Sequence, residues 1–145
     1  MVDAFVPEES RLSRTWTRSA PYWKSVLRIV AGFLFITYGC SKLFAWPAAM
    51  LPNGMTAHPG TLPWTAGWIE LIGGASTFLG LFTRPVAFIL AGEMAVAYFK
   101  VHLPRSFWPT VSGAVPAVMF CFVWLYLSAA GGGPWSLDAV LRRRR

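Results

Sequence analysis

The sequence predicts an all-α integral membrane protein: a four-helix antiparallel bundle, N-in/C-in. Three observations predict it. Of 145 residues, 55% are hydrophobic and only 13% charged, where a soluble domain carries about 25% charged residues. Apolar runs recur at lengths that suit spans of roughly 20 residues. The basic residues of this +7 chain flank those runs instead of lining a polar face. That points to lipid and topology, not to nucleic acid.

Residues 1–20 are polar, with Pro7, Glu8, Glu9 and scattered Arg and Ser, and read as a flexible basic cytoplasmic tail. Trp16, Tyr22 and Trp23 suit the headgroup layer. The first span is expected over about 24–44, around the core Ile29-Val30-Ala31-Gly32-Phe33-Leu34-Phe35-Ile36. No small-x-small cleavage pattern follows it, and the bulky Tyr38 argues against lipoprotein processing at Cys40, so the run reads as an uncleaved signal anchor.

Residues 46–63 contain Pro47, Pro52, Pro59, Pro63, Asn53, Gly54 and Gly60 but no Lys or Arg, and so form an outer loop. The second span is expected over about 64–82 and the third over 85–103, joined by the inside turn Thr83-Arg84-Pro85. The fourth is expected over 109–130, stopped by Gly131-Gly132-Gly133-Pro134. Pro116 lies within it and lacks an N–H, which predicts a kink or a late helix start. Ser136 should then cap a brief helix carrying Asp138 in its first turn. The transmembrane domain thus covers 21–141, with 142–145 as a basic tail.

This topology places ten of the thirteen Lys and Arg inside: Arg11, Arg14, Arg18, Lys24, Arg28, Arg84 and Arg142 to Arg145. That bias sets the orientation, and the basic termini suit anionic lipid. Ala87, Ala91 and Ala95 on the third span, and Gly67, Gly73, Gly74 and Gly80 on the second, are spaced for close helix packing.

Two carboxylates fall inside the spans, Glu70 and Glu93. Each costs at least about 2.5 kcal/mol at a bilayer centre unless paired, neutralised or facing a polar cavity. Glu70 lies roughly 9 Å below the outer interface and shares a stripe with Gly67, Gly74 and Thr77. Lys42, at the outer end of the first span, is at a similar depth. Lys100 follows Glu93 by seven residues, which on an α-helix puts it on the same side. The expected pairs are Lys42 with Glu70 and Lys100 with Glu93. They form either a polar pocket for a quinone head group, another small polar molecule or protons, or two ion pairs that fix helix register.

Thr77, His102 and Ser112 are secondary candidates. His102 is nine residues from Glu93, the far side of an α-helix, and reads as a polar residue at the headgroup level. Cys40 and Cys121 differ in depth by roughly 12 Å, too far for a disulfide. The sequence contains no metal-ligand spacing, nucleotide loop or catalytic triad, and no catalytic residue is assignable.

Several stretches together resemble the DoxX family of bacterial and archaeal membrane proteins. They are Gly39-Cys40-Ser41-Lys42-Leu43-Phe44, Glu70-Leu71-Ile72-Gly73-Gly74, Gly80-Leu81-Phe82-Thr83-Arg84-Pro85, Gly92-Glu93-Met94-Ala95-Val96-Ala97-Tyr98-Phe99, Phe107-Trp108-Pro109 and Gly131-Gly132-Gly133-Pro134-Trp135-Ser136-Leu137-Asp138. Their order and spacing over about residues 24–141 carry the resemblance. It implies a four-helix domain of the cytoplasmic (inner) membrane and a link to redox metabolism, because some relatives are subunits of thiosulfate:quinone oxidoreductase. A quinone is then the candidate cofactor, and a protein partner or homo-oligomer is expected. Other relatives are thought to scaffold oxidative-stress proteins, which leaves a non-catalytic scaffold and a proton or small-solute pathway as alternatives. One departure stands out. Where relatives commonly have Asn-Gly-Gly-Glu at the start of the fourth span, this chain has Ser112-Gly113-Ala114-Val115. If that Glu belongs to the family's polar pocket, the pocket here is reduced or its role differs.

Overall fold

The computed structural model describes residues 11–143, which are all-helical with no strand among them. The first helix, α1, runs from Arg11 to Phe44. It begins well before the expected span, so residues 11–20 continue the helix, and residues 1–10 of the expected tail lie outside the described residues. The reason is local. No glycine occurs between Arg11 and Ala31, and once a helix is nucleated each further residue adds to it cheaply. Pro21 lies inside this helix. The loop after α1 is pinned back to it by the Ala57 N–H, which donates to the Lys42 carbonyl at 2.8 Å.

The next helix, α2, spans Leu62–Leu79 and ends at Gly80, a left-handed cap with φ of 72° that glycine adopts without a Cβ clash. Helix α3 covers Thr83–Ala97 and continues as one wider π-helical turn, Tyr98–His102. In this turn the Leu103 N–H reaches back five residues to the Tyr98 carbonyl at 2.8 Å. The expected fourth span is broken in two: α4, Pro109–Ser112, and α5, Val115–Ala130. Pro116 falls in the first turn of α5, where its missing N–H costs nothing. The late start is how the proline is accommodated. A last helix, α6, spans Leu137–Arg143, and the Ser136 hydroxyl accepts the Ala139 N–H at 3.2 Å as expected of a cap.

Helix α2 packs along α1, and α5 along α3. The first pair is a glycine contact. A Cβ at Gly32 would lie 2.6 Å from the Phe78 backbone nitrogen, and one at Gly39 would lie 2.6 Å from the Gly67 carbonyl oxygen. Gly32 therefore faces the end of α2 and Gly39 its beginning, so the two helices run in opposite directions with backbones touching. The second pair packs Ala87, Leu90, Ala91 and Met94 against Ala117, Trp124 and Leu127. Phe35 of α1 joins the two pairs, its ring edge-on to Trp124 at 4.9 Å and to Phe120 at 5.0 Å.

Unlike a soluble domain, the protein has a largely apolar surface, and several polar side chains lie inside beside the apolar core. Large apolar side chains such as Phe33, Ile72, Phe88 and Phe122 are exposed, whereas Arg28, Glu70, Thr77 and Thr83 are buried. Outward apolar and inward polar groups suit lipid as the surrounding solvent. Two stretches, Arg14–Phe44 and Thr83–His102, are long and apolar enough to cross a membrane. The 16-residue α5 is apolar and reaches about 24 Å.

Candidate functional site

Three charged side chains from three helices meet where α1 finishes. Lys42 lies in the last turn of α1, and its Nζ donates to Glu70 Oε1 of α2 at 2.6 Å. Glu70 is 3% exposed and Lys42 17%. The glycine contact makes this pair possible, because Gly67, one turn before Glu70, lets α2 approach the Lys42 and Leu43 side chains. The expected pairing of Lys42 with Glu70 is present.

The expected pairing of Lys100 with Glu93 is not. Lys100 is exposed, and the Glu93 carboxyl instead neighbours the Glu70 carboxyl. The cause is the π-helical turn. Seven residues on an α-helix would align Lys100 with Glu93, but a π turn holds one extra residue and lags by about 100° of rotation. The turn begins at Tyr98 and swings Lys100 outward. One ammonium thus faces two carboxyl groups, and the Oε2 atoms of both Glu70 and Glu93 are buried without a donor.

The same turn moves His102. Nine α-helical residues would put it roughly 180° from Glu93, and the lag removes more than half of that angle. His102 consequently shares a cavity with Glu93 and Lys42. The cavity has a volume of about 460 Å³ and is walled by α1, α2, α3 and α5, with Phe35, Tyr38, Met94 and Phe120 among its apolar lining. The His102 Nδ1 is 2.9 Å from the Ser112 carbonyl oxygen. The expectation that His102 lies on the far side of its helix from Glu93 is therefore corrected: a helix irregularity that residue spacing does not reveal turns it toward the cavity.

The remaining candidates lie elsewhere or act differently. The Thr77 hydroxyl donates to the Gly73 carbonyl of its own helix at 2.8 Å, away from the cavity. The Ser112 hydroxyl donates to the Trp108 carbonyl at 3.1 Å, so Ser112 meets the site only through its backbone. Val115, in the place of the relatives' Glu, is 43% exposed and does not line the cavity. The polar wall of this cavity is thus built without it. Cys40 and Cys121 are free thiols.

Sequence reasoning missed Arg28. Its side chain is fully buried and donates to four backbone carbonyls: Thr77 and Phe78 at the end of α2, Gly132 at 2.8 Å and Trp135 at 2.7 Å. Beside it, the Asp138 carboxylate accepts the Phe82 and Thr83 N–H groups at 2.8 Å each, capping the start of α3. A basic residue at the front of an apolar run looks like a topology signal. The clue was the distant cluster Gly131-Gly132-Gly133, whose exposed carbonyls need a donor once buried.

The DoxX family model matches residues 24–103. An uncharacterised protein of Haemophilus influenzae is 39% identical over 122 residues, covering 81% of this chain and 90% of that protein. A Bacillus subtilis protein named "Putative oxidoreductase CatD" is 32% identical over 82 residues, covering 57% of this chain and 61% of that protein. No solved structure matches. The family model spans both carboxylates, Lys42 and the π-helical turn, and it covers more than half of the sequence; the chain is a membrane protein of the DoxX family.

Proposed function

We propose that this chain is a quinone-associated, redox-linked subunit of the bacterial or archaeal cytoplasmic membrane. In this reading residues 21–141 form a four-span antiparallel bundle, N-in/C-in, and the Lys42 end of the bundle lies in the outer half of the bilayer. The observation that carries the reading is the cavity itself. It is apolar over most of its wall, of a size that suits a small ring compound, and bordered on one side by Lys42 and Glu93, with Glu70 behind them on Lys42. An isolated charge network would need no such space beside it. The name of the Bacillus subtilis relative supports redox chemistry.

Titration of the detergent-solubilised protein with a short-chain quinone tests the reading. Saturable binding is expected, weakened about tenfold or more in Glu93→Gln, which alters the polar wall. Absence of binding, or equal affinity in Glu70→Gln, Glu93→Gln and the parent protein, would overturn it.

A further inference from the structure

His102 sits in the cavity with a single hydrogen-bond partner. A backbone carbonyl can only accept, so the Nδ1 that meets the Ser112 carbonyl carries the hydrogen. In the neutral ring this leaves Nε2 with a lone pair. That atom has no protein partner among the described residues and is not among the buried unpaired atoms, so it is accessible, and His102 lines the cavity. The Ser112 carbonyl orients the ring. Ser112 is buried, and α4 is closed by Gly113 with φ of 73°, a conformation that costs glycine little.

The cavity therefore has an acceptor at His102. Across it Lys42 has one of its three N–H donors on Glu70 Oε1, and Glu93 adds a carboxyl group to the wall. A ligand atom placed against His102 Nε2 is favoured if it carries a hydrogen and disfavoured if it presents its own lone pairs.

We infer that His102 is a ligand-binding residue whose Nε2 accepts a hydrogen bond from a ring hydroxyl, so that the cavity prefers the dihydroxy (hydroquinone) form of its ligand to the dicarbonyl form. This rests on the quinone-type reading of the cavity and adds to it a direction of preference and the residue that sets it. The π-helical turn is the device that delivers it, since an α-helical α3 would point His102 away. Such turns are frequent at functional sites.

The test is calorimetric titration, under anaerobic conditions, with three probes: decylhydroquinone, its di-O-methyl ether and the corresponding quinone. The parent protein should bind the hydroquinone about tenfold more tightly than either other probe, the size of one hydrogen bond to a group otherwise left unpaired. His102→Phe should lose that preference while still binding all three. His102→Gln, whose amide oxygen can accept, should retain part of it. Equal affinity of the parent protein for hydroquinone and ether would overturn the inference and leave the quinone-type reading standing. So would a preference that survives in His102→Phe. If the parent protein binds none of the three, both fall together. The comparison among probes on the parent protein needs no variant to fold.

Discussion

Arg28 and Lys42 are both cations on α1 and both face the protein interior, but they are used in opposite ways. Arg28 is saturated. Its guanidinium donates to carbonyls at the end of α2 and in the 131–136 segment, and the negative end of the α2 dipole favours a cation there. Asp138, beside it, is equally occupied. Beside them, the buried Thr83 hydroxyl is left without a partner among the described residues. Lys42 sits in a group that is not saturated. One ammonium faces two carboxyl groups, two buried oxygens lack donors, and a cavity adjoins them. Burial of charge is common to both sites, so burial alone does not mark function. The separating property is whether the hydrogen-bonding capacity is used up.

The strongest way to break this comparison is at Arg28. Arg28→Met should keep the apolar stem but strand four buried carbonyls and loosen the joint between α1, α2 and the 131–136 segment. A loss of about 3–5 kcal/mol is expected, the range for removing one partner of a buried charged network. Denaturant unfolding in mild detergent measures it. Because Lys42 lies about 21 Å further along α1 than Arg28, the folded fraction should keep its affinity for a quinone probe. A variant as stable as the parent would show that Arg28 is not the joint it resembles.

A smaller and more revealing effect is expected at Lys42. Lys42→Met leaves Glu70 and Glu93 facing each other without a cation and should destabilise by roughly 3 kcal/mol. Adding Glu70→Gln removes the uncompensated charge, so the double variant should be more stable than Lys42→Met alone. A double-mutant cycle reads this coupling directly. Additive losses would mean that the 2.6 Å contact carries no net energy.

Much of the helical pattern was legible in the sequence, because apolar length and proline and glycine punctuation are local properties. Gly131 and Pro116 mark the ends of α5 within a few residues. The Lys42–Glu70 pair was also legible, since matching depths on adjacent spans narrow the possible partners. What could not be read was anything decided by a departure from α-helical register or by contact between distant segments. Nothing in Tyr98-Phe99-Lys100-Val101-His102 announces a wider turn, so Lys100 was assigned inward and His102 outward. The role of Arg28 depends on carbonyls that lie 49 to 107 positions away, and no window along the chain contains both.

The gentlest test addresses that register. Lys100→Gln should change stability by no more than about 0.5 kcal/mol, as is usual for an exposed position without partners. It should also leave probe affinity unchanged. The same substitution on an uninterrupted α-helix would remove the counter-charge of Glu93 and weaken both. A null result is therefore informative here, because two helix geometries predict different outcomes for one side chain. If Lys100→Gln weakened binding as much as Glu93→Gln, the turn over Tyr98–His102 would have to be α-helical in the membrane. His102 would then return to the far side of α3 and lose its place in the cavity. Unchanged affinity in Lys100→Gln, set beside altered probe preference in the His102 variants, would tie both side chains to the same five residues.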